Sequence, residues 1–460
     1  MLLSARLGDK EFQRWWKGSD GLLIHEWIEL KDKGNPNKIC LVYQDCCLTY
    51  RQLAEQTDDL ARRLAIVLKR GDRVLLQKKD PIAQLLYFFA IVKAGGSCIL
   101  IDAAASKDVC QDLIERHQVA CFINEQYELP TQNADALPLI KAEDIFLGAL
   151  SSGSTGIPKL IWRDHTSWTN SFDVQSNIFQ VDKSDTLFIV GSLIYTANLN
   201  ACVHFLALGG TVVIGCGTRP RSWMREIETH QVSALCMVPA HYNMLLKTTH
   251  ESAARVHSLV AAGAKLTTDT INGLKTYFPQ ASIIAYYGTS ELGHVAYITG
   301  EQLLKKPGAA GKLFPDVKIS FKDNEIWVRS PYLAPAYRPE GTAGDLGRVD
   351  EDGLLYVLGR KNGLINSGGV KVIPEQVEAI LCQCPGVEQA AVGGVADANK
   401  GQRVCAWVVK SQESITAADI LAFCRKKLRP HAWPQKIVFV ETLPLNASGK
   451  IDRLRLLTGS

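Results

Sequence analysis

With 460 residues, the chain exceeds the usual size of a single domain, so two or more domains with large buried cores are expected. Its 47% hydrophobic and 21% charged residues exclude a disordered or membrane-embedded chain, and a net charge of only +4 without a basic run gives no reason to expect nucleic acid as a partner. Thirteen cysteines scattered from Cys40 to Cys424 lack paired C-x-x-C spacing, which argues for reduced thiols in a cytosol rather than a zinc site or disulfide framework.

The opening MLLSARLGDKEFQRWW is interrupted by Arg6, Asp9, Lys10 and Glu11 before a signal-peptide core can form. The longest apolar run, residues 85–92, is far below the roughly 20 residues a membrane span needs, so a cytoplasmic chain with no membrane span is expected. Over residues 50–68, Leu53, Leu60, Ala61 and Leu64 recur at helical spacing and predict a helix with one apolar stripe. Residues 81–94 are apolar nearly all round, which predicts a buried helix. Short β-like runs at 73–76, 98–101, 145–150, 186–190, 211–214, 234–238 and 282–286 alternate with such helices. That order predicts a layered α/β architecture with largely parallel sheets.

The texture changes near Gly311. Residues 318–360 favour short antiparallel strands, with Asp352-Gly353 as a turn signal. Beyond Arg360 a polar connector leads to a helix at 374–381, strands at 390–392 and 404–409, and a helix at 417–428. That is a small α+β unit of roughly 100 residues. The boundary falls at Lys361-Asn362, giving a large domain over 1–361, with a β-rich subdomain at about 312–361, and a small one over 362–460.

Four loops carry the chemistry. Ser151, Ser152, Gly153, Ser154, Thr155, Gly156, Ile157, Pro158 and Lys159 follow a strand-like run, and their backbone N–H groups and hydroxyls suit a phosphate. The loop does not fit GxxxxGK[ST], nor does Gly449-Lys450. A Ser/Gly loop is commonly a flexible connector, but Pro158-Lys159 is poor linker design and good anion-site design. Residues 286–293 (YYGTSELG) should emerge at the carboxyl end of a strand, where open α/β sheets bind ligands. There Tyr287 offers a face for a base, Gly288, Thr289 and Ser290 offer donors, and Glu291 offers a carboxylate for Mg²⁺. Asp345 and Arg360 suit ribose hydroxyls and a phosphate, although each also sits in what could be an ordinary surface turn.

Residues 48–64 (LTYRQLAEQTDDLARRL), 71–102, the loops SSGSTGIPK and YYGTSELG, 344–378 (GDLGRVDEDGLLYVLGRKNGLINSGGVKVIPEQVE) and 443–453 (LPLNASGKIDR) stand in a shared order. In these motifs the chain resembles the acyl-adenylate-forming, AMP-binding superfamily over nearly its whole length, and in particular its acyl-CoA and aryl-CoA ligases. The resemblance implies an N-terminal domain binding ATP and a carboxylic acid, with a mobile C-terminal lid. It implies that residues 151–159 wrap the β- and γ-phosphates, Tyr287 stacks near the adenine, and Ser290 touches the α-phosphate or carboxylate. Glu291 would hold Mg²⁺, Asp345 the ribose, Arg360 ribose or phosphate, and Lys450 would be the catalytic lysine. Ser367, Gly368, Gly369 and Lys371 would border the passage for the CoA thiol, although the Gly pair could equally be a simple β-turn. Asn362 would be the hinge, where relatives usually carry Asp or Lys.

The acid pocket would draw on Tyr195, Asn198, Asn200, Val238, Pro239, Ala262, Gly263, Tyr286 and His294. No Asp occurs between Phe188 and Leu206 to pair with an α-ammonium, so an amino acid is disfavoured. Aromatic acids are the first expectation, and medium-chain or dicarboxylic acids the second. ATP, Mg²⁺ and CoA are the expected cofactors and acceptor. A carrier-protein phosphopantetheine is the alternative acceptor, and a luciferase-type oxidoreductase or an inactive nucleotide-binding module are readings of other classes.

Overall fold

The computed structural model describes residues 23–151, 159–217, 219–248, 255–397, 401–444 and 451–458. A nine-stranded sheet runs Lys312–Leu313, Gly293–Thr299, Ser282–Thr289, Ser258–Ala262, Ala234–Met237, Thr186–Ile189, Thr211–Ile214, Ile39–Tyr43, Cys46–Thr49. Its inner strands are parallel and its edges antiparallel. A second sheet runs Cys121–Ile123, Arg73–Leu76, Ser97–Leu100, Ile145–Ser151, Lys159–Asp164, antiparallel only at the last pair.

Helices Tyr50–Leu64, Pro81–Lys93 and Thr196–Leu208 fill the layer between these sheets, and one apolar core joins residues from both. The helix Pro81–Lys93 starts where its sequence dictates. Pro81 fits the first turn, and the Asp80 carboxylate accepts from the Ala83 amide at 2.7 Å. Being apolar all round, it buries Leu85, Phe88, Phe89 and Ile91 completely. The helix Tyr50–Leu64 is capped by a Thr49/Gln52 capping box. It ends at Leu64 rather than at residue 68, because the amides of Ile66 and Val67 turn back to the carbonyls of Arg63 and Leu64 at 3.3 and 3.0 Å, tightening the last turn.

A four-stranded antiparallel sheet over Lys318–Lys322, Glu325–Arg329, Asp345–Val349 and Leu355–Arg360 follows. Lys312 and Leu313 pair with the nine-stranded sheet instead. The last unit has its own apolar core. Its strands Val387–Asp397 and Gly401–Lys410 carry Ile365–Ser367 and Val370–Val372 at one side, with helices Pro374–Leu381 and Ala417–Lys427 packed against them.

YYGTSELG differs from the expected loop. Residues through Thr289 stay in the strand Ser282–Thr289, with a bulge between Tyr287 and Gly288, and only Ser290–Leu292 make the turn into Gly293–Thr299. Backbone crowding explains its glycines. A Cβ on Gly288 would stand 2.4 Å from the Gly293 carbonyl, and one on Gly293, at φ +69°, 2.6 Å from the Tyr332 carbonyl. Phe88 sits where both sheets meet the helix layer, edge-to-face with Phe89 at 5.2 Å and Phe146 at 6.1 Å. Phe88→Ala is expected to destabilise the chain by about 3–5 kcal/mol, read as a lower urea midpoint.

Candidate active site

The strand Lys159–Asp164 places charge at both ends. At its start, Lys159 Nζ lies 3.2 Å from Tyr337 Oη. At its end, Arg163 is 2% exposed, an unusual place for a guanidinium. Its nitrogens donate to the carbonyls of Ser290 at 3.0 Å, Ser167 at 2.8 Å and Tyr332 at 2.8 Å. Burial pulls its pKa down to about 9, with Asp164 and Glu291 opposing and Arg338 reinforcing, so it stays charged at neutral pH. Asp164 accepts both arms of Arg338 at 2.7 and 2.8 Å, a bidentate pair of fixed geometry.

These contacts converge on the turn after Thr289. The Ser290 hydroxyl meets Thr196 Oγ1 at 3.1 Å, the Ala334 amide donates to the Glu291 carbonyl at 2.9 Å, and the Leu292 amide donates to Thr289 Oγ1 at 3.1 Å. The backbone is therefore held from several sides, while no partner among the described residues engages the Glu291 carboxylate. One free carboxylate is the protein share that Mg²⁺ needs when substrate phosphates and water complete its six oxygens, so these residues fit that ion. Among the described residues there is no cluster of three or more His, Cys, Asp or Glu that would hold a metal unaided.

Beside this turn, the Tyr287 hydroxyl donates to Asp345 Oδ2 at 2.6 Å and Arg360 Nε donates to Oδ1 at 3.1 Å. Asp345 and Arg360 face each other across paired strands, which is why residues fifteen apart in sequence meet. Burial, and then the Asp345 carboxylate, pushes the Tyr287 phenol well above its usual range, so it remains a donor. Each Asp345 oxygen keeps a further lone pair able to accept from a hydroxyl.

Asn200 and Tyr286 line a cavity of about 20 Å³ between helix Thr196–Leu208 and the nine-stranded sheet, together with Ala197, His204, Phe205 and Cys236. Its position follows from the chain, since Ala197 adjoins Thr196 and Tyr286 adjoins Tyr287. The other expected pocket residues lie around it rather than in its wall. Tyr195 precedes the helix, half-buried, and burial raises its pKa to about 12. Asn198 spends its amide on the carbonyls of Val190 and Ser192 at 3.2 and 3.1 Å. Val238 caps the helix Pro239–Leu246, Ala262 ends its strand opposite Tyr286, and Gly263 is exposed. His294 packs 4.8 Å from Tyr286 and 5.1 Å from Phe314, and its Nε2 is buried without a partner among the described residues.

Asn362 lies exposed in the short turn Lys361–Gly363, where Lys361 Nζ donates to Glu325 Oε2 at 2.8 Å. Gly368 and Gly369, at φ +62° and +84°, make the two-residue turn between Ile365–Ser367 and Val370–Val372. Ser367 is buried there, whereas Lys371 is exposed. Ser151 pairs with Lys159 across the strand ends. Ser152, Gly153, Ser154, Thr155, Gly156 and Lys450 lie outside the described residues.

A family model described as AMP-binding enzyme matches residues 28–338. The chain belongs to the AMP-binding enzyme family. The C-terminal domain model of AMP-binding enzymes matches residues 376–450, and Asp345, Arg360 and Asn362 lie between the two matches. The chain is 29% identical to an uncharacterized acyl–CoA ligase, YhfT, of Bacillus subtilis, across 92% of this chain and 95% of that one. It is 27% identical to the 2-succinylbenzoate–CoA ligase of Bacillus pumilus, across 94% and 97%. The solved o-succinylbenzoate CoA synthetase MenE of Bacillus subtilis, with its acyl-adenylate OSB-AMP, superimposes with a TM-score of 0.81 at 21% identity, covering 95% and 98%. ATP-bound MatB of Rhodopseudomonas palustris gives 0.82 at 21%, covering 95% and 99%. These likenesses establish the fold, a large N-terminal α/β body and a small C-terminal domain.

The sequence reading missed Arg163, Asp164, Arg338 and His204. A signal existed for the first two, since an Arg-Asp pair closing the otherwise apolar strand LIWRD invites a buried partner. His204 is masked by its apolar helix, yet its Nε2 meets Ser176 Oγ at 2.8 Å beneath the cavity. In this AMP-binding enzyme no described helix is long and apolar enough to cross a membrane.

Burial draws His25, His204 and His294 from 6.5 to about 3 and His165 to about 4. The unfolded chain takes up these protons near pH 6.5 while the folded chain refuses them until about pH 3–4. Stability is therefore fully present above pH 6.5 and is lost as pH falls below it, by on the order of 1 kcal/mol per pH unit for each histidine. The melting temperature should fall from pH 7 to 5, and His294→Phe should flatten that fall.

Proposed function

We propose that the protein is an ATP-dependent, AMP-forming ligase that activates an aryl or medium-length acyl carboxylate as acyl-adenylate, releases pyrophosphate, and passes the acyl group to the thiol of CoA. The observation that carries this reading is the Tyr287–Asp345–Arg360 cluster beside the braced turn that presents Ser290 and a Glu291 carboxylate unpaired among the described residues. Relatives named as acyl–CoA and 2-succinylbenzoate–CoA ligases, aligned over more than nine-tenths of the chain, support it.

In the first step a carboxylate oxygen attacks the α-phosphorus, and the bond to the pyrophosphate oxygen breaks. Asp345 and Arg360 hold the ribose, Ser290 orients the α-phosphate or the acid, and Lys159, with residues 151–156, receives the β- and γ-phosphates. Glu291 would hold Mg²⁺, and the ion would supply positive charge against the charge that the transition state spreads over oxygen. Lys450 brings a second cation to the attacking side. In the second step the CoA thiol adds to the acyl carbonyl, and AMP leaves with the oxygen of the broken anhydride bond. Ser367, Gly368, Gly369 and Lys371 flank the thiol's approach, with Asn362 as hinge.

The mostly apolar lining of the cavity is the ground for placing a compact aryl monoacid first within this class; the space itself, about 20 Å³, holds no more than about one water, so an acid enters only when that lining moves apart. No Lys or Arg lines it, and His204, with its pKa drawn to about 3 by burial, is neutral. A second carboxylate would enter without a counter-charge. Phe179, Phe205, Leu187 and Leu235 close the space, which disfavours long chains. Asn200, 7% exposed and without a side-chain partner among the described residues, offers an amide to a neutral polar substituent.

Pyrophosphate release should be measured across aryl, fatty, dicarboxylic and amino acids, with and without CoA. Compact aryl acids should turn over fastest, with CoA thioester as product. Release with none of them would overturn the ligase reading, and preference for dicarboxylic acids would overturn the pocket reading. Lys450→Ala should cut adenylation by about 100-fold or more while thioester formation from preformed acyl-adenylate survives. Equal loss in both half-reactions would contradict the role given to Lys450.

A further inference from the structure

Arg163 is the side chain whose placement the activity above does not use. It stands in a strand whose neighbours Leu160 and Ile161 are buried and apolar, and a hydrophobic residue would occupy that site at lower cost. What its planar fork supplies is several N–H groups at fixed angles. They are distributed over three separate segments, through the carbonyls of Ser167, Ser290 and Tyr332.

Two of these three carbonyls bear on Glu291. Ser290 is its covalent neighbour, so fixing the Ser290 carbonyl fixes the peptide plane that leads into Glu291. Tyr332 presses on the other side of the turn, where its carbonyl would stand 2.6 Å from a Cβ on Gly293. From the same segment, the Ala334 amide holds the Glu291 carbonyl at 2.9 Å. Four residues further on, Arg338 returns to the strand through both oxygens of Asp164. The dipeptide Arg163-Asp164 thus grips the turn from one side and the segment that backs it from the other. The Glu291 charge also lies near enough to favour the charged form of Arg163.

We propose that Arg163 is a positioning residue for adenylation, whose guanidinium fixes the carbonyls of Ser290 and Tyr332 and so sets where the Glu291 carboxylate stands for the Mg²⁺ complex of ATP. The proposal rests on the ligase reading above. A lysine at 163 keeps the charge but presents its donors from one point, and it cannot span three carbonyls as the fork does. Arg338 acts through the same segment at one remove and has a weaker hold on the turn.

Arg163→Gln, Arg163→Lys and Arg338→Gln test this in the full-length protein with three readouts. Calorimetry measures ATP affinity with and without Mg²⁺, an assay measures pyrophosphate release, and a third follows thioester formation from preformed acyl-adenylate and CoA. In Arg163→Gln the gain in ATP affinity produced by Mg²⁺ should shrink, and pyrophosphate release should fall, each by about tenfold or more. Arg163→Lys should fall between Gln and the parent, and Arg338→Gln should show a smaller loss in the same direction. Thioester formation from preformed adenylate should stay within about twofold of the parent in all three. A full Mg²⁺-dependent gain in Arg163→Gln would overturn the proposal, as would parallel loss of both half-reactions, which is what a merely structural arginine predicts. If neither Arg163 variant folds, Arg338→Gln decides, and an unaltered Mg²⁺ gain there overturns it. A parent protein that releases no pyrophosphate with any acid fails the ligase reading instead, because ATP affinity is measured without an acid.

Discussion

A guanidinium taken out of water keeps its charge only if oxygen atoms replace the solvent around most of its N–H groups, and the terminal nitrogens of Arg163 find those oxygens in the nearby Ser167 carbonyl and in two carbonyls from distant parts of the chain, while Nε has no partner among the described residues. That requirement acts in both directions. The arginine is stable in its site because the turn after Thr289 and the segment near Tyr332 are in place, and those segments are in place because the arginine is there. Removing either side leaves buried groups unsatisfied, a penalty larger than the net worth of the bonds themselves. The site is therefore built from mutual dependence between irregular segments rather than from any one rigid element.

The layered body makes such segments available at one place. Parallel strands bring their carboxyl ends to a common edge, and the bulge at Tyr287/Gly288 turns the end of the strand Ser282–Thr289 toward the four-stranded sheet, where Asp345 and Arg360 are paired. Glycine at 288 and 293 lets three backbones approach closer than side chains would permit. Helix Thr196–Leu208 adds Thr196 at its first position to meet Ser290, and opens its next turn onto the cavity. Residues that meet the turn or Asp345 and residues that line the cavity therefore alternate along two elements, Tyr287 with Tyr286 and Thr196 with Ala197.

Much of this was legible in the chain because the signals were local. The Thr49/Gln52 box, Asp80-Pro81 and the apolar run of residues 81–94 announce their helices by short-range chemistry alone. The Tyr-Gly-Thr-Ser-Glu motif reads as the carboxyl end of a strand, although that strand carries Tyr286 through Thr289 further than a glycine suggests, since pairing with Gly293–Thr299 outweighs glycine's poor strand propensity. The Arg-Asp pair closing LIWRD hinted at a buried partner, but which partner was not legible, because two of those Arg163 takes are backbone carbonyls 127 and 169 residues away, which leave no trace in side-chain identity. The pocket was legible only in part. Asn198 and Asn200 are alike in sequence, yet one turns to the backbone of Val190 and the other to the cavity, a difference decided by packing.

The small C-terminal unit closes on its own apolar residues, among them Val377, Leu381, Val392, Val404 and Ile420. Among the described residues an ion pair with the body, Lys247 to Glu388 at 3.8 Å, joins side chains that are 73% and 44% exposed, and a pair so open to water contributes little and is screened by salt. Ile373 and Glu375 of the small unit crowd against Gly359 of the body, so the two parts meet at the connection itself, through Lys361–Gly363 and the packing beside it. Because the ion pair contributes so little, concentrated electrolyte would leave the seating of the unit almost unchanged.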